Sequence, residues 1–163
     1  MLKPLANAVL FQCGWFACVL GGDSLWLLVG LAVLGIHWLW ISSPADDGVL
    51  IVTVTLAGTL LDTLLRTLGV FHFSEPGPMI PFWLMLLWAL LTTTLRHCLA
   101  WSARPWWLAS LLGAVGGPLS YYAGSQLAGV SFGYATPATL TGLALLWAML
   151  FPLLHRVARG LEN

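Results

Sequence analysis

Two groups of residues in this chain could do chemistry. The first is built around Asp62 and Arg66, a carboxylate and a guanidinium inside the otherwise apolar run Gly48 to Val70. Four residues apart, they fall on one face of a helix and can neutralise each other. Thr55, Gly58 and Thr59 continue that face, so the stripe is expected to face protein rather than lipid. Counted along their helices at about 1.5 Å per residue, Tyr121 comes to the same depth as Asp62 and can donate to its carboxylate. Trp88, far from either end of its apolar run, needs a buried acceptor for its indole N–H. Gln12, in the middle of another run, needs a partner for its amide. Asp62, Arg66, Tyr121, Gln12 and Trp88 are therefore the candidate ligand-binding residues. A guanidinium there could hold a phosphate or carboxylate headgroup while the carboxylate orients it. A structural ion pair is the competing explanation.

The second group is His37, His97 and His155, each on a different apolar run near the same end. Paired histidines can ligate haem iron or a metal. No HxxxH or HxxE spacing supports this, so no metal site is assigned and no cofactor is identified. There is no GxSxG, and Ser120 and Ser125 are expected at the end opposite three of the four histidines, which leaves nucleophilic hydrolysis without support.

These residues have to be positioned by membrane helices. The chain has 163 residues, 60% hydrophobic and 7% charged, a composition that excludes a soluble domain. Six apolar runs, about 5–21, 24–41, 48–70, 79–101, 105–128 and 137–157, are each long enough to cross a roughly 30 Å hydrocarbon layer. The fold class is an all-α membrane protein, a single six-transmembrane-helix bundle. An ionised residue at membrane depth costs about 2.5–3.5 kcal/mol on insertion scales and normally faces a bundle interior. Lys3, Arg104, Arg156 and Arg159 all fall at one end, and the positive-inside rule puts that end, with both termini, in the cytoplasm. The formal charge of zero, with no basic patch, excludes nucleic acid as a partner. Cys13, Cys18 and Cys98 read as apolar fillers, and no disulfide is expected. Gln12 and Trp15 interrupt the first run, which argues for an uncleaved span rather than a signal peptide.

The connections carry fewer signals. Asp46 and Asp47, after Ser43-Pro44, read as acids at a helix N-terminus, where the dipole favours them. Residues 71–81, with three prolines, His72 and Glu75, read as a stiff non-helical linker. Arg96 reads as a side chain that snorkels to the interface. Gly113 with Gly117 and Ser120 with Gly124 permit close helix approach in the fifth run, and Pro118 is expected to kink it as it packs centrally.

Three stretches, Phe11-Gln12-Cys13-Gly14-Trp15-Phe16-Ala17-Cys18-Val19-Leu20-Gly21, Leu95-Arg96-His97-Cys98-Leu99-Ala100-Trp101 and Gly116-Gly117-Pro118-Leu119-Ser120-Tyr121, resemble a family of small bacterial inner-membrane proteins of unknown function. The likeness covers nearly the whole chain. It implies a multi-pass protein of the inner membrane. It also implies a membrane-lipid context, since such genes lie beside those for fatty-acyl cyclopropanation and flavin-linked oxidation. Lipid-modifying enzymes are then the implied partners, beside the membrane lipids themselves. Family members tend to carry Asn in place of Arg96, so the resemblance gives that arginine no role, and it supplies no catalytic residue. The function expected is binding, or assistance in modifying, a membrane lipid or similar apolar ligand. A haem or metal redox protein and a small transporter are the alternatives.

Overall fold

A computed structural model describes residues 2–74 and 76–161. Glu75 lies outside the described residues. Six helices carry the chain: α1 (Leu2–Gly21), α2 (Leu27–Ile36), α3 (Pro44–Thr67), α4 (Phe82–Leu95), α5 (Trp106–Leu127) and α6 (Thr136–Gly160). Of these, α1, α3 and α6 are long and apolar enough to cross a membrane. A π-helical turn, His37–Ile41, extends α2 to an apolar segment of Leu27–Ile41, which with α4 is apolar but shorter. The fifth helix has 22 residues, diluted by four glycines.

Local chemistry explains the boundaries. Ser43, in extended backbone, accepts the Asp46 N–H at the start of α3, and Pro44 occupies the first turn, where its missing N–H costs nothing. At the far end of α3, Gly69 adopts φ +73°, and the N–H groups of Gly69 and Val70 return to the carbonyls of Arg66 and Leu65. This is the glycine-terminated cap that satisfies a helix's last carbonyls. The N-terminus of α4 has no side-chain cap of its own. Instead Asp23, in the α1–α2 turn, accepts from the backbone N–H groups of Phe82 and Trp83 at 3.1 and 2.7 Å.

The expected fourth run, 79–101, is helical only over Phe82–Leu95. Beyond Leu95 the chain turns and enters a short 3₁₀ segment, Ala100–Ala103. The reason is a contact across the bundle. Buried Asn7 of α1 donates to the Thr93 carbonyl and accepts from the Cys98 N–H, which takes that N–H out of the helical ladder.

Contacts define two ends. The start of α1, the end of α6, the α2–α3 connection and the α4–α5 connection gather at one, the terminal end, where Lys3 reaches the Ile41 carbonyl and Arg159 that of Ala103. At the opposite end the loop after α3 is more than a linker. It forms β1 (Phe71–His72), paired antiparallel with β2 (Ser131–Phe132) from the α5–α6 connection.

The central element is α4, which packs on α1, α2, α3 and α6. Its residues Trp88, Ala89, Leu90 and Thr92–Leu95 are all buried. The hydroxyls of Thr92, Thr93 and Thr94 bond back to carbonyls of the preceding turn, so their burial leaves no hydroxyl unpaired. Against expectation, α5 is not central. Its principal partner is α6, and it barely touches α1. A Cβ at Gly113 would come within 2.3 Å of the Trp147 carbonyl, and one at Gly117 within 2.2 Å of the Trp147 ring. The small residues therefore commit α5 to one neighbour, and α-helix runs unbroken through Pro118.

Candidate functional site

The site at mid-helix is assembled by three elements. Asp62 of α3 is fully buried. Its Oδ2 accepts from Trp88 Nε1 of α4 at 2.7 Å, and its Oδ1 accepts from the Tyr121 hydroxyl of α5 at 2.6 Å. Tyr121 is thus the donor that depth suggested, and Asp62 is the buried acceptor that the Trp88 indole needed. Room for this comes from Gly58, one turn before Asp62, where a Cβ would lie 2.0 Å from the Trp88 ring. Stacking then fixes both aromatic planes. Trp88 lies parallel to Trp147 at 5.5 Å between ring centroids, and Tyr121 lies parallel to Phe71 at 5.0 Å.

The expected Asp62–Arg66 pair does not form. Arg66 lies near the end of α3, and its long side chain reaches outward, donating to the Met79 carbonyl at 2.6 Å and lying 5.2 Å from the centroid of the Phe73 ring. Helical spacing brought the two residues to one face, but the indole and phenol engage one carboxylate oxygen each, and no ion pair joins the two among the described residues.

Trp88 and Tyr121 form the wall of a cavity of about 420 Å³. It runs between α1 and α4 on one side and the α5–α6 hairpin on the other, where α1 and α5 barely touch. Its lining is overwhelmingly apolar and aromatic, including Phe11, Trp15, Phe71, Trp83, Trp101 and Trp147. The rim residues Gln12, Gly116 and Ser120 are exposed, so the cavity opens sideways through the bundle wall. Across this mouth Trp15 Nε1 of α1 donates to Ser120 Oγ of α5 at 3.1 Å. Of the five residues expected to line a pocket, Gln12, Trp88 and Tyr121 do so, whereas Asp62 and Arg66 do not. Asp62 stands behind the wall and orients two of its side chains.

The second cluster is only partly as expected. His37 and His97 do meet, with ring centroids 5.0 Å apart. Their Nε2 atoms both lie on Asp47 Oδ2, at 3.0 and 2.8 Å. Arg96 Nη1 donates to the other oxygen, Oδ1, at 3.1 Å. His155 is elsewhere, at 3.0 Å from Ser102 Oγ and edge-on to Phe151. Two further readings prove incomplete at this end. Asp46 and Asp47 both lie in the first turn of α3, as expected, but Asp47 is also a buried hub, while Asp46 accepts from the Ser43 hydroxyl at 2.6 Å. Nor does Arg96 simply snorkel, because its Nε and Nη2 clasp the Ala158 carbonyl of α6 at 2.9 and 2.6 Å. A sequence signal for the hub existed in the doubled Asp46-Asp47, since one acid suffices for a cap.

An all-helical bundle with three membrane-length apolar helices and a sideways-opening aromatic cavity defines a helical membrane protein. The chain belongs to the family described as protein of unknown function (DUF2878), whose model matches residues 4–153. No curated protein and no solved structure matches it.

Proposed function

We propose that the protein holds an apolar molecule of membrane origin, an acyl chain or a lipid-like compound, in the cavity between α1, α4 and the α5–α6 hairpin. The observation that carries this reading is the cavity itself. Its volume lies within the roughly 300–1,000 Å³ of small-molecule sites, and few polar groups interrupt its aromatic lining. A sideways mouth suits a ligand that arrives from the bilayer rather than from water. Gln12, Tyr121 and the Trp15–Ser120 bridge are the polar groups available to a ligand's head. In this reading the six helices lie in the bacterial inner membrane with the terminal end in the cytoplasm, as the grouping of Lys3, Arg104, Arg156 and Arg159 there supports. The ligand's modification would fall to a partner enzyme.

Gly116 provides the test, because it lines the cavity and a Cβ there meets nothing within 4 Å. Gly116→Phe should fill the cavity and leave the bundle intact. Protein extracted in native membrane discs should carry an apolar species enriched over the bulk lipid, and Gly116→Phe should lose it. A parent composition equal to the bulk membrane, or an enrichment that survives the substitution, refutes the reading.

A further inference from the structure

We propose that His37, Asp47 and His97 form a binding site for a first-row divalent cation at the terminal end of the bundle. The inference is independent of the cavity, which lies elsewhere. Three elements bring the donors together: the π-helical turn after α2, the first turn of α3 and the turn after α4. The two imidazole Nε2 atoms and the Asp47 carboxylate oxygen all lie within 4.8 Å of one another. The two edges of that triangle that meet at Oδ2 measure 3.0 and 2.8 Å. A zinc-like ion held at about 2.0–2.2 Å from each ligand has ligand-to-ligand edges of roughly 3.3–3.6 Å, so small outward shifts would admit it.

Charge balance does not account for the arrangement. Arg96 already faces the carboxylate at Oδ1, yet two imidazoles converge on the remaining oxygen. As a pure hydrogen-bond hub the cluster is also imperfect. With Nε2–H donating to Asp47, the buried His37 Nδ1 is left without a partner among the described residues. As a ligand set it is coherent. Oδ2 and two Nε2 atoms point to one place, and Arg96 holds Oδ1 in the way that outer partners orient a ligating carboxylate. Two imidazoles and one carboxylate select zinc and its transition-metal neighbours over Ca²⁺ or Mg²⁺, which take oxygen ligands. Asp47 and His37 are buried while the His97 side chain is 21% exposed, so an ion would enter past His97. Three protein ligands leave a coordination position open.

The experiment uses the full chain, purified in detergent without a polyhistidine tag and stripped with a chelator. Zn²⁺ is added, excess is removed, and bound metal is measured by elemental analysis. Co²⁺ serves as a second probe, read by its visible absorption. The expected result is one ion per chain for the parent and for His72→Ala, which alters an exposed histidine at the other end. His97→Ala and Asp47→Asn should bind at least about 10- to 100-fold more weakly, the loss that disturbing even an outer partner of a metal site brings. A second readout uses the parent alone and so does not depend on the variants folding. Zn²⁺ should raise its melting temperature, a chelator should reverse the rise, and Ca²⁺ should do nothing. A parent that binds neither probe stoichiometrically, variants that bind like the parent, or a melting temperature indifferent to Zn²⁺ would each overturn the site.

Discussion

Replacing Asp62 tests whether this carboxylate is the organiser of the cavity wall. In Asp62→Leu, the Trp88 indole N–H and the Tyr121 hydroxyl both lose their acceptor inside a packed bundle. A buried donor left unpaired costs about 1–3 kcal/mol, which for two gives about 2–6 kcal/mol. Tyr121 borders the cavity and can find a substitute partner there, so the lower part of that range, about 2–4 kcal/mol, is expected. Asp62→Asn should behave quite differently. Its amide oxygen can accept from Trp88 while its NH₂ donates to the Tyr121 oxygen, which is as good an acceptor as it is a donor. Weaker neutral bonds are then offset by the absence of a buried charge, and the cost should be about 1 kcal/mol or less. Adding Tyr121→Phe to Asp62→Leu removes one orphaned donor, so the double variant should be less destabilised than the sum of the singles. The assay is reversible unfolding in mixed micelles, followed by helical circular dichroism. An Asn variant as damaged as the Leu variant, together with a strictly additive double, would refute the view that the carboxylate holds both side chains.

Three more outcomes can be checked by the same unfolding assay. Because Asp62 and Arg66 share no bond among the described residues, Asp62→Leu and Arg66→Leu should add within about 0.5 kcal/mol, and a rescue in the double would reinstate an ion pair between them. Gly113→Ala should destabilise by about 1–3 kcal/mol through collision with the Trp147 carbonyl, whereas Gly116→Ala, three residues on and facing open space, should be neutral or stabilise by up to about 1 kcal/mol. Equal effects at the two glycines would show that α5 does not face α6 as described. Asn7→Ala should cost about 1–3 kcal/mol for each of the two backbone groups it leaves unpaired, the Thr93 carbonyl of α4 and the Cys98 N–H just past it, and an unchanged melting curve would show that water replaces it.

What was legible in the sequence depended on whether the physical constraint was local. A carboxylate inside a membrane-length apolar run must find donors, and a mid-helix indole must find an acceptor. Both needs could be stated for Asp62 and Trp88 without coordinates, and they proved to be one need. Depth along two helices was enough to add Tyr121. The i, i+4 rule failed at Arg66 because it fixes a shared face and not an occupied one. The length of the arginine side chain let it leave that face, while shorter, more rigid donors came from other helices. Asp47 was lost for the opposite reason. A helix N-terminus explains an acid so readily that a second acid raised no question, although a helical step of one residue turns it about 100° away from the cap and toward α2 and α4. The early end of α4 was also invisible, since the residue responsible, Asn7, lies 91 positions before Cys98.

The cavity follows from a division of labour within α5 that no single motif expresses. Gly113 and Gly117 sit one turn apart and give α6 its close approach, down to the Trp147 backbone. Gly116, Ser120 and Gly124 also lie one turn apart from each other, but on the adjacent face, and all three line the cavity, which Gly113 and Gly117 border as well. Had that second face carried leucines, they would fill the space between α1 and α5 beyond the Trp15–Ser120 bridge, and the bundle would close. Small residues there leave a gap that aromatic side chains from α1 and α4 border without filling, and an unfilled apolar gap forgoes dispersion contacts on every wall. Gly116 shows the room most directly: it lines the cavity, a Cβ there meets nothing within 4 Å, and glycine has a lower helix propensity than alanine. The forgone contacts are what a bound apolar molecule would restore, arriving from the bilayer side.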